Sequence, residues 1–213
     1  MRKLFFSLSL LAFLGLSYWS KQSPSDEGTF WAWFESHQDE LLKVQTGHEE
    51  ICSQLEAQLK HFNSSLVFEF GPDKNGRREF TISADGNRDA FPAVEALYAA
   101  APVLPRWKIL KFRQRREPVD ISFKGIKVEA DSVTVGVKKA GDRADVIIYI
   151  PDAPEDDRDI YGNIAFLMLD QALGEYDVET RIGRVTVMPR SRSAGKTYSL
   201  KQLPKVIDRM FGH

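Results

Sequence analysis

Apolar and polar positions change their spacing several times along the chain, and each change predicts a different element. From residue 30 to residue 62 the apolar residues recur every three or four positions, as on one face of an amphipathic helix. Gly47 lies within this stretch, so the pattern predicts either one long helix or two helices that are separated near Gly47. The N-terminal part of the folded body is therefore expected to be helical.

The next stretch predicts a β-hairpin that leads into a strand–helix–strand unit. Residues 66–70 and 79–84 have the composition of strands, and the sequence GPDKNGRR between them favours a tight turn. Asp89 is the expected cap of the following helix. That helix should bury one face, which consists of Phe91, Val94, Leu97, Tyr98 and Ala101. Residues 107–113, including a buried Trp107, then return as a strand, which should pair in parallel with the strand before the helix.

The second half of the chain alternates between short strands and helices. Four strands are expected between residues 120 and 150, then a helix from about residue 157 to the stop at Gly174. Residues 175–182 alternate strictly between charged and less polar positions, which predicts a strand, and a strand over residues 184–189 and a short helix capped by Ser199 follow. The pattern predicts an α+β fold: a single domain, residues 30–213, with a mixed, mostly antiparallel sheet and helices packed on one face.

The N-terminus has the pattern of an export signal. Arg2 and Lys3 precede an apolar run that extends to Trp19, and this run is shorter than the roughly 20 residues that span a bilayer comfortably. Residues 1–19 are therefore interpreted as an export signal or a membrane anchor, and residues 20–29 as a polar linker. The expected location is periplasmic or tethered to the membrane, with membrane contact through the N-terminal segment alone.

Composition and motif content exclude several classes of site. The chain of 213 residues has a formal net charge of -1, which gives no overall attraction to nucleic acid, and its one cysteine excludes an intrachain disulfide. The turn before the Phe91 helix has one glycine, too few for a phosphate-binding loop. The basic stretch RWKILKFRQRR is interpreted as the solvated end of a strand and not as a nucleic-acid site.

Metal binding and nucleophilic catalysis find little support. His48 and Cys52 are four residues apart on one helical face, but two ligands do not make a metal site, and they are interpreted as residues at the edge of the core. There is no G-x-S-x-G sequence, and Cys52 lies inside a helical stripe. No catalytic residue, metal site or cofactor is therefore predicted.

One acidic sequence remains as a candidate site. If residues 175–182 form a strand, then Glu175, Asp177, Glu179 and Arg181 project from the same face. Three carboxylates in a row repel one another unless a cation, water or a basic group offsets the charge. The row could therefore bind a hard cation or supply an acid/base pair, or it could be an ordinary solvated face.

Four blocks, EFTISADG, FPAVEALYAAAP, PRWKILKFR and LGEYDVETRIG, resemble recurring blocks of an uncharacterised family of bacterial proteins. The resemblance implies a bacterial origin and carries no activity with it. We therefore expect a non-catalytic binding domain of the bacterial cell envelope, whose partner is another protein or an envelope component and not nucleic acid. The alternative is a hydrolase-like enzyme with an acidic site assembled around Glu175, Asp177 and a histidine, for which His37 and His61 are among the histidines of the chain.

Overall fold

The computed structural model describes residues 26–44, 49–154 and 159–212. The predicted export segment, residues 1–19, lies outside these ranges, and so do residues 20–25 of the predicted linker, Gly47 and His48. None of the helices within the described ranges combines the length and the apolar character that crossing a bilayer requires. Residues 26–29, which were expected to belong to the linker, are helical.

The described residues form six α-helices and nine β-strands. The helices are α1 (Asp26–Leu41), α2 (Glu49–Phe62), α3 (Phe91–Ala99), α4 (Ile160–Leu173), α5 (Glu175–Arg181) and α6 (Leu203–Phe211). The strands are β1 (Val67–Lys74), β2 (Arg77–Ser83), β3 (Trp107–Lys111), β4 (Ile121–Phe123), β5 (Ile126–Val128), β6 (Thr134–Ala140), β7 (Arg143–Ile150), β8 (Ile182–Pro189) and β9 (Thr197–Ser199). The predicted α+β fold class is confirmed.

The strands form three sheets where the sequence suggested one. Their orders are β1-β2-β3, β4-β5 and β8-β7-β6-β9. Most neighbours are antiparallel, but β2 pairs with β3 in parallel and β7 pairs with β8 in parallel. The predicted hairpin and the parallel pairing around α3 are thus both confirmed, because β1 and β2 are antiparallel on either side of a turn at Asn75 and Gly76.

The two larger sheets share one connectivity. In each, a hairpin is followed by helical structure and then by a strand that lies parallel to the second strand of the hairpin: β1-β2-α3-β3 in one sheet and β6-β7-α4-α5-β8 in the other. A strand–helix–strand crossover returns to the same sheet in parallel, so each unit builds its own layer. The chain contains this arrangement twice without any obvious repeat in its sequence.

Helix α3 begins differently from the prediction. The side chain of Asn87, not that of Asp89, accepts the capping hydrogen bond, which the backbone N–H of Asp89 donates within a 3-10 turn at Arg88–Ala90. Pro92 lies in the first turn of α3, where the missing N–H of proline costs nothing. Phe91, Val94 and Leu97 are buried as expected, whereas Tyr98 is more than one-third exposed.

Two hydrophobic cores lie in this fold, one for each ββαβ unit. The N-terminal core, between residues 30 and 112, includes aromatic side chains from α1 packed against the first sheet, and the ring centroids of Phe34 and Trp107 are 5.0 Å apart. The indole N–H of Trp31 donates a 2.8 Å hydrogen bond to the carbonyl of Leu97, which fastens α1 to α3. The C-terminal core, between residues 128 and 207, packs α4 and α6 against one face of the β6–β9 sheet.

The two cores meet at a polar junction. It consists of the turn at residues 84–86, the segment at residues 113–116 and the N-terminal part of α5. The backbone N–H of Glu175 donates to the carbonyl of Arg113, and the N–H of Arg116 donates to the carbonyl of Gln171. Tyr176 adds an apolar contact, since its ring lies 5.4 Å from that of Phe112 in the N-terminal core.

Candidate functional site

The acidic sequence that was predicted to be a strand is the helix α5. This prediction was wrong, because the positions of the charged residues along the segment favour a helix. Glu175 and Asp177 lie in the first turn and Arg181 in the last, where each complements the helix dipole. The side chains of Asp177 and Arg181 also form an ion pair of 3.1 Å at the helical spacing of four residues.

The four candidate residues project from two different sides of α5. Residues two positions apart on a strand share a face, but on a helix they are about 200° apart. Glu175 therefore shares a side of α5 with Glu179, and Asp177 shares another with Arg181. The predicted row of three neighbouring carboxylates does not exist.

Glu175 is a buried connector between the two cores. Glu175 is 1% exposed. One of its carboxylate oxygens accepts hydrogen bonds from the backbone N–H groups of Ala84 at 2.8 Å and Gly86 at 3.3 Å. The other oxygen accepts the N–H of Arg113 at 3.0 Å. Since these donors belong to the N-terminal unit, the carboxylate joins α5 to the ends of β2 and β3.

Gly174 lets the backbone approach closely at this point. Its φ angle is 78°, in the left-handed region, and a β-carbon there would lie 2.9 Å from the carbonyl oxygen of Arg113. The same carbonyl accepts the N–H of Glu175 at 3.0 Å. A side chain at position 174 would therefore push the two units apart.

Asp177 and Arg181 belong to an ion-pair network that includes Arg115 and Asp208. Arg115 binds Asp177 through two of its nitrogens and binds Asp208 of α6 at 2.7 and 2.8 Å. The hydrogen bond to Asp208 is the main cause that raises the pKa of Arg115, and the bond to Asp177 adds to it. This network holds the segment at residues 113–116 against α5 and α6.

Arg113 forms a second network on the side of α4. Its guanidinium donates to Asp170 at 2.5 Å and to Asp85 at 3.1 Å. Burial alone would lower the pKa of Arg113, but the charges of Asp170 and Glu175 outweigh that effect and raise it. Burial also raises the pKa of Asp170, and the nearby guanidinium offsets this only in part.

The basic stretch at residues 106–116 has internal partners along its length. All six of its cationic side chains lie within ion-pair distance of a carboxylate: Arg106, Lys108, Lys111, Arg113, Arg115 and Arg116. Four of these side chains are 40–60% exposed, which agrees with the predicted solvated strand end: Arg106, Lys108, Lys111 and Arg116. The less exposed Arg113 and Arg115 pair with carboxylates of α4, α5 and α6 and fasten the junction.

Glu179 differs from its three neighbours in the candidate set. It is half-buried, and no donor among the described residues makes a hydrogen bond to its carboxylate. Burial raises the pKa of Glu179, and the negative charge of Glu175 raises it further. This group therefore carries a charge that its surroundings stabilise poorly.

Glu179 lies in a groove of about 460 Å³ between α4, α5 and the turn at residues 84–86. We call this the α4–α5 groove, and the side chains that matter below are Asp85, Phe166, Leu167, Asp170, Val178 and Glu179. Phe166 and Leu167 follow one another on α4 and are 49% and 42% exposed. The groove thus combines apolar surface with carboxylates, and Arg113 is the cationic residue among those that line it.

Residues that were weighed as metal ligands do not converge in the described ranges. Within residues 26–44, 49–154 and 159–212, no group of three or more histidine, cysteine, aspartate or glutamate side chains is placed so that it could hold a metal ion. Cys52 is a half-buried free thiol, and its predicted neighbour His48 lies outside those ranges. The ring of His37 stacks on Trp33 within α1 at 4.4 Å.

Comparison with known proteins identifies no relative. No family model, no curated protein and no solved structure matches this chain. The geometry of the junction and of the α4–α5 groove is therefore the basis for a functional assignment.

Proposed function

We propose that this protein is a non-catalytic binding module of the bacterial cell envelope, exported or tethered by its N-terminal segment, that holds another protein or an envelope component in the α4–α5 groove. One contrast carries the proposal. Three of the four predicted site residues have fixed partners inside the fold, whereas Glu179 faces a groove that exposes apolar side chains. Asp177 and Arg181 line a second cavity on the other side of α5, where ion pairs with Arg115 and with each other occupy their charges, so the α4–α5 groove is the surface proposed for the partner.

The partners of Glu175 and Asp177 weigh against a role in proton transfer. A general acid or base must reach the reacting group and exchange a proton with it. Glu175 is buried beneath three backbone N–H donors, and Asp177 is bound by two arginines. The hydrolase alternative also called for a histidine, and neither of the cavities on the two sides of α5 is lined by His37 or His61.

Exposed apolar side chains on a helix favour association with a partner. Burying a large apolar side chain stabilises a complex by about 1.5–3 kcal/mol. Phe166 and Leu167 are adjacent, and Val178 extends the apolar surface into the groove between carboxylates at its edges. An apolar centre with a polar rim is the usual composition of a protein-binding site.

The test is site-specific photocrosslinking in cells of the source organism. A benzophenone amino acid replaces Phe166 or Leu167 in the full chain, and the control positions are Val103 and Val119, which are exposed apolar residues outside the groove. We expect a discrete crosslinked species from both groove positions and none from the controls. Equal crosslinking at all four positions, or none at the groove, would overturn the proposal.

A further inference from the structure

Resting on the proposed function, we infer that the α4–α5 groove takes a cationic side chain of the partner, a lysine or an arginine next to an apolar residue. The carboxylate of Glu179 binds the cationic group, and Phe166 and Leu167 contact its aliphatic stem and its apolar neighbour. The groove therefore selects a short basic and apolar segment of a protein.

The charge that lines the groove favours a cation. Asp85, Asp170, Glu175 and Glu179 contribute four carboxylates, and Arg113 contributes the one guanidinium among the lining residues. Arg113 is already bound to Asp85 and Asp170. Arg88 and Arg143 act on Glu179 through charge alone, and neither donates a hydrogen bond to it among the described contacts. An incoming cationic group would thus find a carboxylate that has room to accept hydrogen bonds.

The position of Glu179 makes the interaction stronger than at an open surface. The carboxylate of Glu179 lies against the turn at residues 84–86. A β-carbon at Gly86 would be only 3.3 Å from the Oε1 atom of Glu179. Charges that are partly removed from water attract one another more strongly than fully solvated charges do. A guanidinium or ammonium group that reaches this carboxylate also relieves the repulsion between Glu179 and Glu175.

The apolar side of the groove suits the stem of a long basic side chain. Lysine and arginine bury their methylene groups on apolar surfaces while the charged end reaches a polar group. Phe166 is 49% exposed, and the electron distribution of an aromatic ring attracts a cation over its face. A metal ion fits less well, since hard cations take six or more oxygen ligands and no three of the described acidic, histidine or cysteine side chains are placed so that they could hold one.

The inference is tested first with a small probe and its uncharged analogue. Hexylguanidinium and hexylurea have nearly the same shape, and only the former carries a charge. Each is titrated into the full chain while NMR follows the side-chain carboxyl carbon of Glu179 and the ring of Phe166. We expect hexylguanidinium to bind about fivefold more tightly than hexylurea, which corresponds to the upper end of the range for a partly exposed ion pair.

Variants complete the test. Glu179→Gln should remove the preference for hexylguanidinium, whereas Glu35→Gln, an exposed carboxylate on α1, should keep it. Magnesium chloride at matched ionic strength should leave the Glu179 resonance unchanged. Equal binding of the two probes, an unchanged preference in Glu179→Gln, or displacement of the guanidinium by magnesium would each overturn the inference.

Crosslinking to the partner provides an independent test. Glu179→Lys should abolish the photocrosslink from Leu167, and Glu35→Lys should leave it intact. If the crosslink persists in Glu179→Lys, the inference about a cationic side chain is wrong while the proposed binding function stands. If neither groove position crosslinks in the unmodified background, the proposed function is wrong, and the probe titration still decides whether the groove binds cations.

Discussion

Replacing Glu175 by glutamine tests whether this residue is a structural connector. The substitution keeps the size of the side chain but removes one of its two acceptor oxygens. In the native protein the carboxylate accepts N–H groups from Ala84, Gly86 and Arg113 and is shielded from water. In the variant, the amide NH₂ would face at least one of these donors, so that a donor lies against a donor.

The expected loss of stability can be worked out from these three hydrogen bonds. Leaving one buried backbone N–H without an acceptor costs about 1–3 kcal/mol, and a neutral acceptor binds each remaining donor about 1 kcal/mol less strongly than a charged one. The bond to Gly86 is already long at 3.3 Å and contributes little. We therefore expect Glu175→Gln to lower the free energy of unfolding by about 2–4 kcal/mol.

The assay is urea denaturation at pH 7, followed by tryptophan fluorescence, since Trp31 and Trp107 are buried in the N-terminal core. The matched control is Glu179→Gln, which makes the same chemical change one turn along α5 at a carboxylate without a hydrogen-bond donor. If Glu175→Gln stays within about 0.5 kcal/mol of the unmodified protein, as ordinary surface substitutions do, Glu175 does not connect the cores. A loss of equal size in the control would refute the reasoning as well.

Four further predictions concern the cores, the junction, pH and the N-terminus. Leu97→Ala should lower the free energy of unfolding by about 2–5 kcal/mol through the cavity that it leaves, and a urea midpoint that does not move would show that Leu97 is not a core residue. Gly174→Ala should cost about 1–3 kcal/mol or more through its positive φ angle and the close carbonyl, and a melting temperature equal to that of the unmodified protein would contradict the close approach. The pKa of Glu179 is raised in the fold, so the folded protein holds this proton more tightly than the unfolded chain and loses stability as the pH rises through the raised pKa. Glu179→Gln should consequently be at least as stable as the unmodified protein at pH 7 and lose that advantage below about pH 4, and a pH-independent difference in urea stability would argue against this cause. Removal of residues 1–23 should leave a soluble domain with one cooperative melting transition, because the N-terminal core is built from residues 30–112, and an unfolded product would mean that the N-terminal segment belongs to the core.

Local signals were sufficient where neighbouring residues decide the structure. The Asn75-Gly76 turn has positive φ angles at both residues, as its sequence predicts, and the apolar spacing of residues 91–97 placed α3 against the first sheet. Gly174 ends α4 because its left-handed φ angle cannot continue a helix. These features depend on one or two turns of chain, and such information is present in the sequence.

The helix α5 shows where periodicity is too weak a signal. Its seven residues alternate between charged and less polar side chains, which is the pattern of a half-exposed strand. Two turns of helix are too few for the 3.6-residue period to stand out against a period of two. The acidic first turn and the arginine in the last turn were the signals that could have identified the helix.

The α+β fold class, the first hairpin and the strand–helix–strand unit around α3 could be predicted from the sequence, which also indicated residues 175–181 as a candidate site. What each acidic residue of this segment does follows from its contacts in the folded chain. Glu175 accepts hydrogen bonds from Ala84 and Arg113, which are 91 and 62 positions away, and Asp177 is bound by Arg115 at a separation of 62. Contacts between a side chain and a distant backbone group leave no periodic pattern in the sequence, because they depend on how the two ββαβ units pack against each other. The same packing placed Glu179 in a groove beside Phe166, without a hydrogen-bond donor among the described residues.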